Sequence, residues 1–167
     1  MLDFEAWVQG RSRQLARTAY LLTGDAHLAE DLLQDTLARV AERWPTLSRT
    51  GAPDGYARKV MYHLSVDWWR RRRSRPEVLL DHPPETFAAV DDPALELRLD
   101  LRKALMRLTP RQRAVLVARF YEDRTEVDTA RVLGCSVSTV KSQTRHALGR
   151  LRALAPDLLE PTREVQQ

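Results

Sequence analysis

Apolar residues recur at helical spacing along nearly the whole chain, and no stretch alternates in the two-residue rhythm of a strand. Phe4, Trp7, Val8, Leu15, Ala19 and Leu22 mark a first helix within residues 2–22. "TGDAH" breaks it, and either Thr23 or Asp25 is placed to cap the next helix. That helix, "AEDLLQDTLARVAERW" from Ala29 to Trp44, has the clearest period, with Leu33, Leu37, Val40 and Trp44 as its core stripe. Asp31, Gln34, Asp35 and Glu42 fall largely off that stripe. Pro45 is expected to end the helix, since proline disfavours helical dihedrals in the residue before it. "PTLSRTGAPDG", residues 45–55, then predicts a loop. A third helix resumes at Tyr56 and runs through "YARKVMYHLSVDWWRRRR". Val60, Leu64 and Trp68 face one way on it, while Lys59, His63, Asp67 and Arg70 lie on another face.

Residues 76–94, "PEVLLDHPPETFAAVDDPA", hold four prolines and no basic residue except His82, which predicts an extended linker. A helix is expected from about Ala94, with Leu97, Leu101, Leu105 and Leu108 inward. Thr109 then caps a new helix that has Pro110 at its first position and Val115, Leu116 and Phe120 as its core. Two more helical segments complete the pattern, Glu126 to Leu133 and Ser138 to Leu154. The expected fold is all-α. Two small helical domains, 1–75 and 95–155, are joined by a flexible acidic linker at 76–94 and end in a tail at 156–167.

Charge sharpens this division. The net charge of the 167 residues is only +4, but it is unevenly placed. Residues 49–75 carry a net +6 and residues 98–152 a net +8, with a net −6 over 76–97 between them. All but three of the 27 basic residues are arginine, whose planar fork suits phosphate. Two basic modules on an acidic tether suit a polyanion that both can touch.

Other chemistry finds little support. The single cysteine, Cys135, excludes an internal disulfide and fits a reducing compartment. The acidic N-terminus lacks an apolar signal core, and no run approaches the ~18 apolar residues of a membrane span, so a soluble cytoplasmic protein without membrane contact of its own is expected. His27, His63, His82 and His146 are widely spaced and do not pair with Cys135 as a zinc site would. No phosphate-cradling glycine loop or nucleophile elbow occurs, so neither a cofactor nor an enzyme is expected.

The C-terminal stretch "TEVDTARVLGCSVSTVKSQTRHALGRLR" carries the most specific local signal. Ala130 is succeeded by Gly134 and then Val140. A small residue lets two helices cross closely, a glycine permits the turn, and an apolar residue plugs the second helix onto the first, as a helix-turn-helix requires. Ser136 or Ser138 can cap the second helix. Thr139, Lys141, Ser142, Arg145 and His146 are then placed to reach bases or phosphates. Further upstream, "DWWRRRRSR" at 67–75 sets aromatics beside arginines, a pairing that serves stacking and phosphate neutralisation together.

Taken in order, three stretches resemble the extracytoplasmic-function (ECF) sigma factors of the sigma-70 family. "AEDLLQDTLARVAERW" resembles the helix that grips the β′ clamp helices of RNA polymerase. "GYARKVMYHLSVDWWRRRRSR" resembles the segment that melts and reads the −10 promoter element. "LTPRQRAVLVARFYEDRTEVDTARVLGCSVSTVKSQTRHALGRLR" resembles the −35-binding domain. The resemblance implies polymerase contact by Asp31, Gln34 and Asp35, −10 contact by Lys59, His63, Asp67, Trp69, Arg70 and Arg71, and −35 contact by Thr139, Lys141, Ser142, Arg145 and His146. It places the capture of a flipped −10 base at the loop 46–55, where Gly51 and Gly55 would let a nucleotide approach. Trp68 is assigned to the core. The implied partners are core polymerase (β′ clamp helices and β flap), promoter DNA and an anti-sigma factor. Two positions depart from the family's habit: His63 where many relatives have Asn, and Ser138 where many have Gly. The alternative is a stand-alone helix-turn-helix regulator, which leaves the Asp31–Gln34–Asp35 patch without a role.

Overall fold

The computed structural model describes residues 3–74 and 93–156, the side chains of 93–97 excepted. The expected linker therefore lies outside the described residues but for its last two positions, and the expected tail but for Pro156. Every regular element among the described residues is helical: α1 (Phe4–Thr23), α2 (Ala26–Thr50), α3 (Pro53–Arg73), α4 (Pro93–Met106), α5 (Pro110–Leu116), α6 (Glu126–Leu133) and α7 (Val137–Leu154). α5 runs on into a wider π turn at Val117–Tyr121.

Local chemistry sets most boundaries. Asp25, of the two candidates, caps α2 by accepting from the Leu28 N–H at 2.9 Å. Thr109 and Gln112 form a reciprocal capping box around Pro110 at the head of α5. Ser136 caps α7 by accepting from the Thr139 N–H at 3.1 Å. Gly134 ends α6 in the left-handed region at φ 66°, the turn between α6 and α7.

Pro45 does not end α2. The helix passes through it to Thr50, and α3 begins at Pro53, so the expected loop shrinks to a two-residue corner. Proline inside a helix forfeits one hydrogen bond. Here the loss falls on an exposed position, while packing holds both sides of it. Trp44 packs against Phe4 and Trp7, with ring centroids 5.1 and 5.6 Å away, and Leu47 is buried two residues beyond the proline. Tertiary burial overrides the local penalty.

The core stripes also shift. On α2 the fully buried residues are Ala29, Leu32, Thr36, Val40 and Leu47, with Leu33, Leu37 and Trp44 flanking them half-buried. On α3 they are Ala57, Met61, Tyr62 and Ser65 rather than Val60, Leu64 and Trp68. α3 is covered from two directions. α1 and α2 pack on one side, and Ala114, Val117, Ala118 and Val132 of the C-terminal half join the same core. Phe120, expected inside, is 59% exposed, and Leu101 is also exposed. The two halves are thus packed together. Gly24 marks their closest approach: a Cβ there would lie 2.4 Å from the Met106 sulfur.

Candidate polymerase and nucleic-acid interfaces

Asp31, Gln34 and Asp35 are all exposed on α2, one position away from buried Leu32 and Thr36. They form an acidic, hydrogen-bonding patch on a helix whose other side is anchored. Nothing in their own half competes for them: no ion pair among the described residues uses Asp31 or Asp35.

α2 and α3 enclose an open groove of about 600 Å³. From α3 it is lined by Lys59, His63, Asp67, Arg70 and Arg71, five of the residues singled out in the sequence. Asp67 is held by Arg70 at 2.8 Å, an exposed pair one helical turn apart. The other wall is lined by Arg39 and Arg43 of α2, with Tyr56 beside them. Sequence reasoning passed over these three; the signal available was the four-residue step from Asp35 to Arg39 to Arg43. Gly51 and Gly55 each have open space where a side chain would stand.

Trp69 lies apart from this groove. Its indole N–H donates to the Leu22 carbonyl at 3.2 Å, and the Arg113 guanidinium sits 4.9 Å above its ring. Trp68 meets it edge to face at 4.9 Å and carries Arg72 over its own ring. The sequence assigned Trp68 to the interior and Trp69 to DNA; in the structure Trp69 is the one built into the packing between helices. Adjacent aromatics at the end of a helix give no periodic clue to which one turns inward.

In the C-terminal half, Ala130 and Val140 pack with Val115 beneath the α6–α7 turn. This braces α7 with Lys141, Arg145 and His146 exposed and Thr139 and Ser142 half-buried. Lys141 pairs with Glu126 across the turn at 3.8 Å, and Arg145 one turn on has no ion-pair partner among the described residues. The first turn of α7 also faces α3: Thr139 and Gln143 line a cavity of about 120 Å³ together with His63 and Asp67.

Residues 7–75 match the sigma-70 region 2 family and residues 104–153 match sigma-70 region 4. Over 155 residues the chain is 41% identical to the RNA polymerase sigma-E factor of Streptomyces coelicolor, a match that covers 91% of this chain and 85% of that protein. The chain belongs to the ECF sigma factors of the sigma-70 family. It is also 30% identical to the ECF RNA polymerase sigma factor SigM of Mycobacterium tuberculosis, over 90% of this chain and 76% of that one. Its fold is similar to that of the sigma factor RpoE solved in complex with the anti-sigma factor NepR from Bartonella quintana. That likeness has a TM-score of 0.71 at 23% identity, across 93% of this chain and 98% of RpoE.

In this ECF sigma factor regions 2 and 4 are joined by a polar network as well as by apolar packing. Glu122, nearly fully buried, accepts from Thr18 at 3.1 Å and Arg58 at 3.3 Å in region 2, and from Arg124 at 2.9 Å in its own half. Burial first, and the Glu122 charge second, raise the pKa of the neighbouring Tyr62 hydroxyl well above its usual value. Arg102 donates to the Gly24 carbonyl at 2.7 Å. Arg113 reaches the Leu22 carbonyl at 2.8 Å. Burial, with Arg73 nearby, lowers the Arg113 pKa to about 10, which leaves it charged at neutral pH. Cys135 sits in the helix-turn-helix turn, its thiol pKa raised by burial against the opposing pull of Arg111. Among the described residues no group of His, Cys, Asp and Glu could hold a metal ion, and no helix is long and apolar enough to cross a membrane.

Proposed function

We propose that this ECF sigma factor binds core RNA polymerase and directs it to its promoters, with separate surfaces for each task. Asp31, Gln34 and Asp35 dock on basic groups of the β′ clamp helices. Lys59, His63, Asp67, Arg70 and Arg71 hold the opened −10 strand, where extruded bases need hydrogen-bond partners and separated phosphates need countercharge. Lys141, Arg145 and His146, helped by Thr139 and Ser142, read the −35 duplex in the major groove. Region 4 also contacts the β flap. The chain contributes no catalytic group; polymerase makes the RNA, in the cytoplasm. The carrying observation is the set of three surfaces in one chain: an unpaired acidic patch, a basic groove and a braced basic recognition helix.

Reconstituted transcription tests this. Purified protein is added to sigma-free core polymerase with genomic promoter fragments, beside a variant with Asp31, Gln34 and Asp35 changed to Ala. Specific transcripts are expected from the unaltered protein only. Transcripts from both would remove the docking role of the patch. Proven DNA binding without core association or transcript would favour a stand-alone regulator. We also propose an anti-sigma factor as negative regulator, as in the RpoE–NepR complex. Purification from uninduced native cells should recover such a partner, and its absence there would count against it.

A further inference from the structure

The groove on α3 has a second wall, and that wall is as basic as the first. Asp31, Asp35, Arg39 and Arg43 succeed one another at four-residue intervals on α2, all exposed. Four residues overshoot one helical turn by about 40°. From Asp31 to Arg43 the direction therefore swings through about 120° while the charge changes from acid to base. The acids stay with the docking patch, and the arginines come round to line the groove opposite Lys59 and His63. Arg43 lays its guanidinium over the Tyr56 ring, 5.6 Å from the centroid. Among the described residues no ion pair uses Arg39 or Arg43. Asp67, the carboxylate lining the same groove, is taken by Arg70 at 2.8 Å.

We propose that Arg39 and Arg43 make this groove a two-walled trough for single-stranded DNA. Arg39 contacts a phosphate, and Arg43, backed by Tyr56, offers a flat cation on which an unpaired base stacks. The inference rests on the −10 function proposed for α3 and adds residues of α2 to it. The physical case is that the two arginines differ. An arginine that neutralises phosphate acts as a charge, and lysine can stand in for it. An arginine held flat on an aromatic ring presents its second face as a plane, which an ammonium cannot do. Only a strand with unpaired bases has both a phosphate for the first and a free base face for the second.

The test uses holoenzyme assembled from the full chain and sigma-free core, with the genomic fragment giving the strongest sigma-dependent transcript. Open-complex affinity is measured against salt, and core affinity is measured separately. The double variant R39A/R43A should lose tenfold or more in open-complex affinity. Its log–log salt slope should fall by about 1.4, at roughly 0.7 per lost single-strand phosphate contact. Core affinity should stay within about twofold. R43K should lose about tenfold, the scale of one base stack, and several times more than R39K. Equal losses for R39K and R43K would overturn the stacking role. Parallel loss of core affinity in R39A/R43A would assign the arginines to polymerase instead. If K59A and H63A weaken open complexes while R39A/R43A does not, the second wall is wrong and the α3 function stands. If none of them does, the −10 function of the groove itself fails.

Discussion

Replacing Arg113 with lysine should destabilise the protein far more than a charge-conserving change normally does. Arg113 is 2% exposed, and no ion pair among the described residues includes it. Its compensation comes from backbone instead. It donates to the carbonyls of Leu105 at 2.9 Å, Leu22 at 2.8 Å, Met106 at 3.3 Å and Leu108 at 3.3 Å. Leu22 lies in the last turn of α1 and Leu105 and Met106 in the last turn of α4, where carbonyls lack intrahelical donors and carry partial negative charge. A buried cation is thus satisfied by two helix C-termini, while its face stacks on Trp69. Lysine has three donors on one nitrogen and no plane, so it cannot span both helix ends and stack. Losing two of the four bonds costs about 3 kcal/mol at the low end for charged donors, and losing the stack about 1 more. A total of about 4 kcal/mol should lower Tm by roughly 8–16 °C in a chain of this size. Urea unfolding of the full chain, monitored by tryptophan fluorescence, measures it as a fall in midpoint at constant slope. R113K within 1 kcal/mol of the parent would refute the reasoning. So would a Met variant more stable than the parent, since buried charge would then be a net burden that the carbonyls do not offset.

Two other changes test the packing with opposite signs. Thr129 is fully buried and its hydroxyl has no hydrogen-bond partner, so T129V should raise stability by about 1 kcal/mol, seen as a Tm increase of roughly 2–4 °C. A fall in Tm would mean the hydroxyl is bonded after all. Asp54 joins α3 to α1 by accepting from the Trp7 indole at 2.8 Å and from Arg11 at 3.0 Å. Burial pushes its pKa up, but the bonds from Arg11 and Trp7 outweigh that and hold it below the usual value. A depressed carboxylate stabilises the fold above its unfolded pKa of about 3.9, and that contribution disappears as pH falls through the lower folded value. D54N should therefore be less stable than the parent at pH 7, and the gap should close in denaturation series taken below about pH 4; a gap constant across pH would contradict this.

Much of the architecture was legible because helix ends are written locally. The box of Thr109, Pro110 and Gln112, the α6 bounds and the Ala130–Gly134–Val140 turn depend on neighbours within one or two helical turns. What misled was set by distant packing. Pro45 breaks helices in general, but Phe4, Trp7 and buried Leu47 hold this one together. Phe120 is apolar by composition yet stands on an outward face. The α3 stripe was placed one position off because a helix covered from two sides has no single apolar line. Arg113 and Glu122 were the least legible. Charged residues suggest surface, and the partners that make their burial tolerable are carbonyls, a hydroxyl and an arginine up to 104 positions away.

The same network constrains how the proposed surfaces can act together. His63 and Asp67 of α3 share one cavity with Thr139 and Gln143 of α7, so the proposed −10 and −35 surfaces abut. Elements centred near −10 and −35 are about 25 base steps apart, or roughly 85 Å of duplex at about 3.4 Å per step. A compact chain of this length has a radius of gyration of only about 15 Å. The packed arrangement can hold one element but not both. Engaging both requires the region 2–region 4 contacts to part, including Glu122 with Arg58 and Thr18, Arg102 with Gly24 and Arg113 with Leu22. The 18 residues from Arg75 to Asp92 that connect the halves can reach about 60 Å when fully extended, enough to let them separate without unfolding either. Each contact that stabilises the packed form therefore opposes promoter engagement. A variant that weakens the Glu122–Arg58 contact without touching a DNA-facing residue should bind promoter more readily in holoenzyme even as the free protein becomes less stable.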